Sequence, residues 1–439
     1  LIIRQVLLYV VMLLTSAVWA GPAKAEQALP AFPGAEGFGA ANPGGRGGRV
    51  IKVTSLASSG PGSLAWACSQ EGPRIVVFEV SGVIEGDVIV RSGRISILGQ
   101  TAPGAGITIK GMLRSAAARR GEKIEDIVVR FLRVRPDSNQ ILSQQGDAIQ
   151  FSAARRVMID HCSSSWASDE TIDVFQADDV TVQWCTVEDG DTAGHEEGVH
   201  NYGLIQGPDG HRITVHHTLF AHQKRRCPAI ANGPADVVNN VVYNFRDGFL
   251  HDNPVNDSTF NIVANYYKVG PNDPDIFPFC FGEGYYYLRD NFIEGLGLVQ
   301  DPWHEKDRLR GLAYYAGRGH KAVNPAVTPP VTTQSAGEAY ELVLSRAGAF
   351  PRDFITRRCI GEVRTGTGTW GRRAIPDLLR GLAPAAPPKD SDDDGLPDAW
   401  ETSHGLDPAD GSDYNKVMLS GYTAIEEYCN ELAVILYNK

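Results

Sequence analysis

From residue 124 onward, apolar residues recur in short alternating runs separated by turn residues, with no helical period of three to four. "VMIDHC" (157–162) and "VTVQWC" (180–185) align at a step of 23 residues, which sets Cys162 over Cys185. "ITVHHT" (213–218) follows after a longer gap, and "DVVNNV" (236–241) comes 23 residues later. "IVANYY" (262–267) and "YLRDNF" (287–292) continue the series at about 25 and 26. A second series keeps the same step. Ile149 in "GDAIQF" and Ile172 in "ETIDVF" are 23 apart, and Cys227 in "RRCPAI" lies 23 after Leu204 in "YGLIQG". Repeats of this length without helical periodicity predict stacked coils of short parallel strands, a β-solenoid. A Greek-key sandwich is the rival, but its alternating strand directions would not hold one register over several repeats.

That register places acidic side chains together. Asp147 stacks near Glu170, and Asp173 stacks on Gln150. Ile149 and Ile172 point to the core, so Asp173, one step on, faces outward. Asp169 lies in the preceding turn. Asp147, Asp169, Glu170 and Asp173 therefore converge on one rim, where oxygen ligands at solenoid spacing suit a hard cation such as Ca²⁺. The alternative is a solvated acidic face. Asp160, mid-strand in "IDH", is expected to hydrogen-bond within the wall. One coil pair further, Arg226 projects on the face of Asp173, so "HQKRRCP" (222–228) sets Lys224, Arg225 and Arg226 beside the carboxylates. Cations next to a metal-binding acidic patch suit an anionic ligand; salt-bridging between neighbouring coils is the other reading.

Composition agrees with a β-rich, turn-rich chain: 439 residues, 43% hydrophobic, with 47 Gly and 26 Pro. The net charge of −11, much of it in the last fifty residues, leaves no basic footprint for nucleic acid. Arg4, an apolar run from Val6 to about Ala20, and an A-x-A site at Ala23 and Ala25 read as an export leader over 1–25. A secreted protein with no further membrane association, acting as a monomer, is the expectation. The seven cysteines show no zinc spacing, so most are expected to be buried thiols, with one or two disulfides open.

"DSDDDGLPDAWE" (390–401) supplies a second cation signal. Asp390, Asp392, Asp394, Asp398 and Glu401 occupy positions 1, 3, 5, 9 and 12 of a calcium loop. Gly395 permits the sharp turn, and Leu396 offers its carbonyl. The loop follows a Pro/Ala-rich linker (381–389), so 390–439 reads as a small helical calcium-loop module after a solenoid domain over 26–380.

These segments resemble a known family, polysaccharide lyase family one, the pectate lyases. "AFPGAEGFGAANPGGRGGRVIKVTSL", "SGPGSL" and "PRIVVFEVSGVI" (31–84) look like its opening, "GDAIQFSAARRVMIDH" like its D-x-I…V-W-I-D-H element, and "RRCP" like its R-x-P. The likeness runs from about 31 to 300, and more weakly to the C-terminus, as in bacterial members with an acidic tail. It implies a right-handed parallel β-helix and Ca²⁺-dependent β-elimination of polygalacturonate. By it, Asp147, Asp169 and Asp173 are Ca²⁺ ligands, with Glu170 an alternative to Asp169, and Arg226 takes the C5 proton of the uronate. The sequence departs from the pattern at Met158 and at Gln145, where a second Asp is usual. It departs again in "VHNYGLIQG", which lacks a substrate-binding Lys, and at Ala229 and Ala231, where a basic residue is expected. Lys224 or Arg225 can substitute in binding substrate. A lyase for another uronate polymer and a non-catalytic carbohydrate-binding β-helix are the alternatives. A hydrolase would need two carboxylates roughly 5–10 Å apart and no metal; the placement of Arg226 speaks against it.

Overall fold

In a computed structural model the chain is a right-handed parallel β-helix. The structure describes residues 29–116, 123–136, 146–251, 258–303, 313–314 and 319–438; the expected leader over 1–25 and Gln145 fall outside them. Among the described residues three sheets of eleven, nine and ten strands form the walls. Within them all pairing is parallel except for a terminal hairpin, Asn291–Ile293 with Gly297–Val299.

The repeats set the register. Val157 pairs with Val180 and Val180 with Ile213. Ile149 lies over Ile172 and Ile172 over Leu204, all fully buried, so one apolar row runs up the inside of the nine-stranded sheet. The next step differs from the sequence reading: Ile213 pairs with Ala235, 22 residues on rather than 23. The slip of one residue puts Ala235 and Val237, rather than Asp236 and Val238, in the inner row of Ile213 and Val215. All seven cysteines are free, buried thiols, and the Cys162 N–H points at Cys185 Sγ, 3.4 Å away. Asp160 does bond within the wall, accepting from Arg130 Nε, Gln183 Nε2 and His161 Nδ1, each at 2.8 Å.

One corner of the coil carries a polar core. Asn240, Asn265 and Asn291 stack with no exposure. Each of the first two donates its backbone N–H and its side-chain amide to the Oδ1 of the next, at 2.9–3.1 Å. Asn265 Nδ2 also caps the Val237 carbonyl at 2.8 Å. Asn265→Leu would strand the Asn240 donors and that carbonyl in a dry interior. A loss of about 3 kcal/mol is expected in a denaturant melt, at roughly 1–3 kcal/mol per orphaned group.

Among the described residues five helices decorate the walls: α1 (Leu64–Ser69), α2 (Ala336–Arg346), α3 (Phe354–Thr365), α4 (Asp398–His404) and α5 (Ala424–Tyr437). Helices α2 and α3 lay Val343, Leu344, Cys359 and Val363 on Leu219, Val241 and Tyr243 of the ten-stranded sheet. Asp353, the N-cap of α3, meets the fully buried Arg135, which also reaches Glu188. Further along α3, Glu362 accepts from Arg373 at 2.6 Å and lies 3.1 Å from His222. Burial works to raise Glu362, but these two partners outweigh it and hold the carboxyl down at about 2. Burial chiefly keeps His222 below its ordinary 6.5. Both shifts have one sign. The unfolded chain binds more protons at low pH, so stability present above the ordinary carboxylate value is lost as pH falls toward 2, with His222 adding to the loss below 6.5. Thermal melts should show this acid sensitivity, and Glu362→Gln should flatten it; an unchanged slope would rule out the pair as its source.

The C-terminal segment lies on the eleven-stranded sheet. Leu396, Ala424, Ile425 and Cys429 pack on Ile75, Val77 and Leu98, and Lys52 bridges to Asp390 at 3.0 Å. No helix among the described residues is long and apolar enough to cross a membrane.

Candidate active site and calcium sites

Because Gln150 pairs with Asp173, the two outward side chains of adjacent coils meet. Gln150 Nε2 donates to Asp147 Oδ2 at 2.8 Å and to Asp173 Oδ2 at 3.3 Å. Ser152 Oγ and the Phe175 N–H, at 3.1 and 2.6 Å, complete the hold on Asp173. Asp147, two residues before Ile149, accepts from the Glu170 N–H at 3.1 Å. Oxygens of Asp147, Asp169 and Glu170 then lie within 4.8 Å of one another. Asp173 faces outward as expected, but the neighbouring coil covers it. Burial, then the charges of Asp173 and Asp169, push the Asp147 carboxyl well above its ordinary range; burial raises Asp169 and Asp173 too. Carboxylates crowded in this way fit a hard cation with oxygen ligands, which would relieve both the desolvation and the repulsion.

The three cations of "HQKRRCP" have different fates. Tyr202 stands beside Glu170 on one side and Arg225 on the other. Arg226 turns at a left-handed φ of 61°, sends Nη1 to Glu170 Oε1, and holds its guanidinium 4.5 Å from the Tyr202 ring centre. Arg225 instead donates Nε to Asp247 Oδ2 at 2.5 Å, and Asp247 also receives Arg246. Lys224 is anchored through its backbone, its N–H to the Asn201 carbonyl at 3.0 Å, and its ammonium has no ion pair among the described residues. Only Arg226 of the three reaches the carboxylates. Three neighbours were missed from sequence: Tyr202, which backs Arg226, and the loop histidines His195 and His200 beside Asp169. The pair of histidines in "GDTAGHEEGVHN" was the available signal.

In the tail, Asp390, Asp392 and Asp394 gather as the loop spacing requires. Asp392 and Glu401 each bury both carboxylate oxygens with no hydrogen-bond partner among the described residues. Glu401 is pushed up to about 7 and Asp394 to about 6, chiefly by burial and then by each other's neighbours. Asp398 stands apart. It begins α4, and its carboxylate accepts from the Ser391 N–H at 2.7 Å and from Lys389 Nζ at 2.6 Å. Asp413, from the turn before α5, contributes instead a buried Oδ1 without a partner. Five orphaned oxygens facing one another fit a cation better than a solvated acidic loop does. A separate cavity of about 620 Å³ lies between α5 and the wall near Trp184 and Tyr437, away from both clusters.

No family model matches the chain. A probable pectate lyase C from Aspergillus terreus is 36% identical over 432 residues, covering 94% of this chain and 96% of the relative. That of Aspergillus fumigatus is 35% identical over 433 residues, with the same coverage. The chain belongs to the pectate lyase family. Both relatives are fungal, so the likeness is not confined to bacterial members. Among solved structures, a thermostable pectate lyase matches 72% of this chain and 97% of its own with a TM-score of 0.53 at 14% identity. The major allergen of cedar pollen, at 16% identity, covers 72% of this chain and 92% of its own with a TM-score of 0.51. At such identities these two support the fold alone. They agree with the parallel β-helix described above.

Proposed function

We propose that the chain is a secreted, calcium-dependent lyase that cleaves polygalacturonate by β-elimination, with Arg226 taking the C5 proton. One observation carries the reading: a guanidinium from one coil reaches the carboxylate cluster built by two others. Family membership supports the lyase class, and the leader over 1–25 supports export. Asp147, Asp169 and Asp173 would hold Ca²⁺, with Glu170 at its edge. Bound there, Ca²⁺ would neutralise the uronate carboxylate and acidify the proton α to it.

The chain's own groups do the rest. Arg226 is packed on Tyr202, mostly removed from water and fixed in direction, as a base of very high intrinsic pKa must be to meet a proton. Arg226 in its neutral form takes the C5 proton and becomes a guanidinium. The C5–H electron pair becomes a C4=C5 double bond conjugated with the carboxylate, and the glycosidic oxygen leaves C4 with its bonding pair and is protonated by solvent water. Lys224 would bind a neighbouring uronate carboxylate. Arg225, held by Asp247, is expected to contribute less. That leaves fewer substrate cations than the family pattern has, which favours testing other uronate polymers beside polygalacturonate.

The test is ultraviolet absorbance of the unsaturated uronide with purified protein, polygalacturonate and Ca²⁺. A rise that chelator stops and Arg226→Ala abolishes supports both the lyase and its base. Folded protein giving no rise on any uronate polymer at alkaline pH would refute the enzymatic reading and favour a carbohydrate-binding solenoid.

A further inference from the structure

We propose that the loop between strands Thr186–Glu188 and Tyr202–Gln206 carries a second, zinc-class metal site made of His195, His200 and Asp169. The three offer ligand atoms within 4.8 Å of one another. His195 Nε2 stands 3.7 Å from Asp169 Oδ2, too far for a hydrogen bond and about the separation of two ligands of one ion. The two imidazoles face each other at 3.5 Å between ring centres and 37° between planes. Their side chains are mostly covered, 7% and 14% exposed. His200 Nδ1 is sealed from solvent with no hydrogen-bond partner.

An ion explains these features together. Bonds of about 2.0–2.1 Å in a tetrahedral site bring ligand atoms to about 3.4 Å apart, so the cluster needs to close by about an ångström. The loop can supply it: Gly194 and Gly198 sit at φ of 91° and 101°, outside the regular strands. His200 Nδ1 gains the partner it lacks, while its Nε2 faces Glu197 Oε2 at 3.6 Å, the carboxylate that a ligating imidazole usually holds on its far side. The Glu197 N–H now donates to His195 Nδ1 at 3.2 Å. Ligation through His195 Nε2 puts the ring proton on Nδ1, so that long bond is given up. Asp189, His222 and Glu362 form a comparable group, but Arg358 and Arg373 already neutralise it.

Two imidazoles and one carboxylate suit zinc, whereas the all-oxygen cluster next to them suits a harder cation. Asp169 belongs to both. Zinc at this site is therefore expected to draw Asp169 from the oxygen cluster and weaken calcium binding there. The inference does not depend on the lyase reading.

Isothermal titration of the full folded chain with zinc chloride tests it. Wild type should take up zinc saturably, and His195→Ala/His200→Ala should lose at least tenfold in zinc affinity while keeping its calcium titration in zinc-free buffer. Preloaded zinc should weaken the wild-type calcium titration. Cobalt substitution gives a readout on wild type alone, through the visible absorption of a tetrahedral nitrogen–oxygen site. No saturable zinc uptake, unchanged affinity in the double variant, or cobalt without that absorption overturns the proposal. Equal loss of calcium and zinc in the double variant also overturns it as a separate site.

Discussion

Arg226→Lys is expected to lower kcat on polygalacturonate by about a thousandfold or more, within the roughly 10²–10⁴ range for losing a positioned base. Lysine keeps the positive charge beside Glu170, so the carboxylate cluster stays partly neutralised and the fold should hold. What it loses is the planar fork, whose one arm is held by Glu170 while the plane packs near Tyr202. Arg226→Ala is a harsher change, because it leaves Glu170 uncompensated next to Asp147 and Asp169. Comparing the two separates chemistry from electrostatic support. The rate of unsaturated product, read with a thermal melt on each variant, decides it. A lysine variant with more than a tenth of wild-type kcat would mean that the proton leaves by another route.

Chelation should loosen the tail before the solenoid. Asp392, Glu401 and Asp413 hold buried oxygens that no donor among the described residues reaches, so as ionised groups they are favourable only with a cation present. A cation at about a hundred times its dissociation constant stabilises the bound form by about 2.7 kcal/mol. Removing it should lower the melting temperature by several degrees and lift α5 from Ile75, Val77 and Leu98. Cys429 reports this directly, since it is buried in that contact and should react with a thiol reagent once α5 leaves. Glu401→Gln should remove most of the chelator response. If labelling of Cys429 and the melting temperature are both indifferent to chelator, the tail does not hold a stabilising ion.

The coil register was legible because side chains alternate faces and each coil repeats the last, so Ile149, Ile172 and Leu204 had to share a row. Once that row stood, the meeting of Asp147 with Glu170 and of Gln150 with Asp173 followed. The spacing in "DSDDDGLPDAWE" likewise brought Asp390, Asp392 and Asp394 together, since a turn of twelve residues is set by near neighbours. The step from Ile213 to Ala235 was less legible, because a turn can lose a residue without disturbing the apolar pattern on either side.

Sequence by itself thus determined the solenoid, its inward row and the acidic rim, all of which depend on residues a few positions apart or one coil apart. Tertiary structure decided which cation serves that rim. Arg225 and Arg226 are adjacent in the chain, yet one meets Asp247 and the other Glu170, because a left-handed turn at Arg226 swings the two in different directions. It also decided that Asp413 rather than Asp398 faces the tail cluster, and that Lys52 meets Asp390 across 338 residues of chain. Such contacts depend on how separate segments close on one another, and no local periodicity encodes that closure.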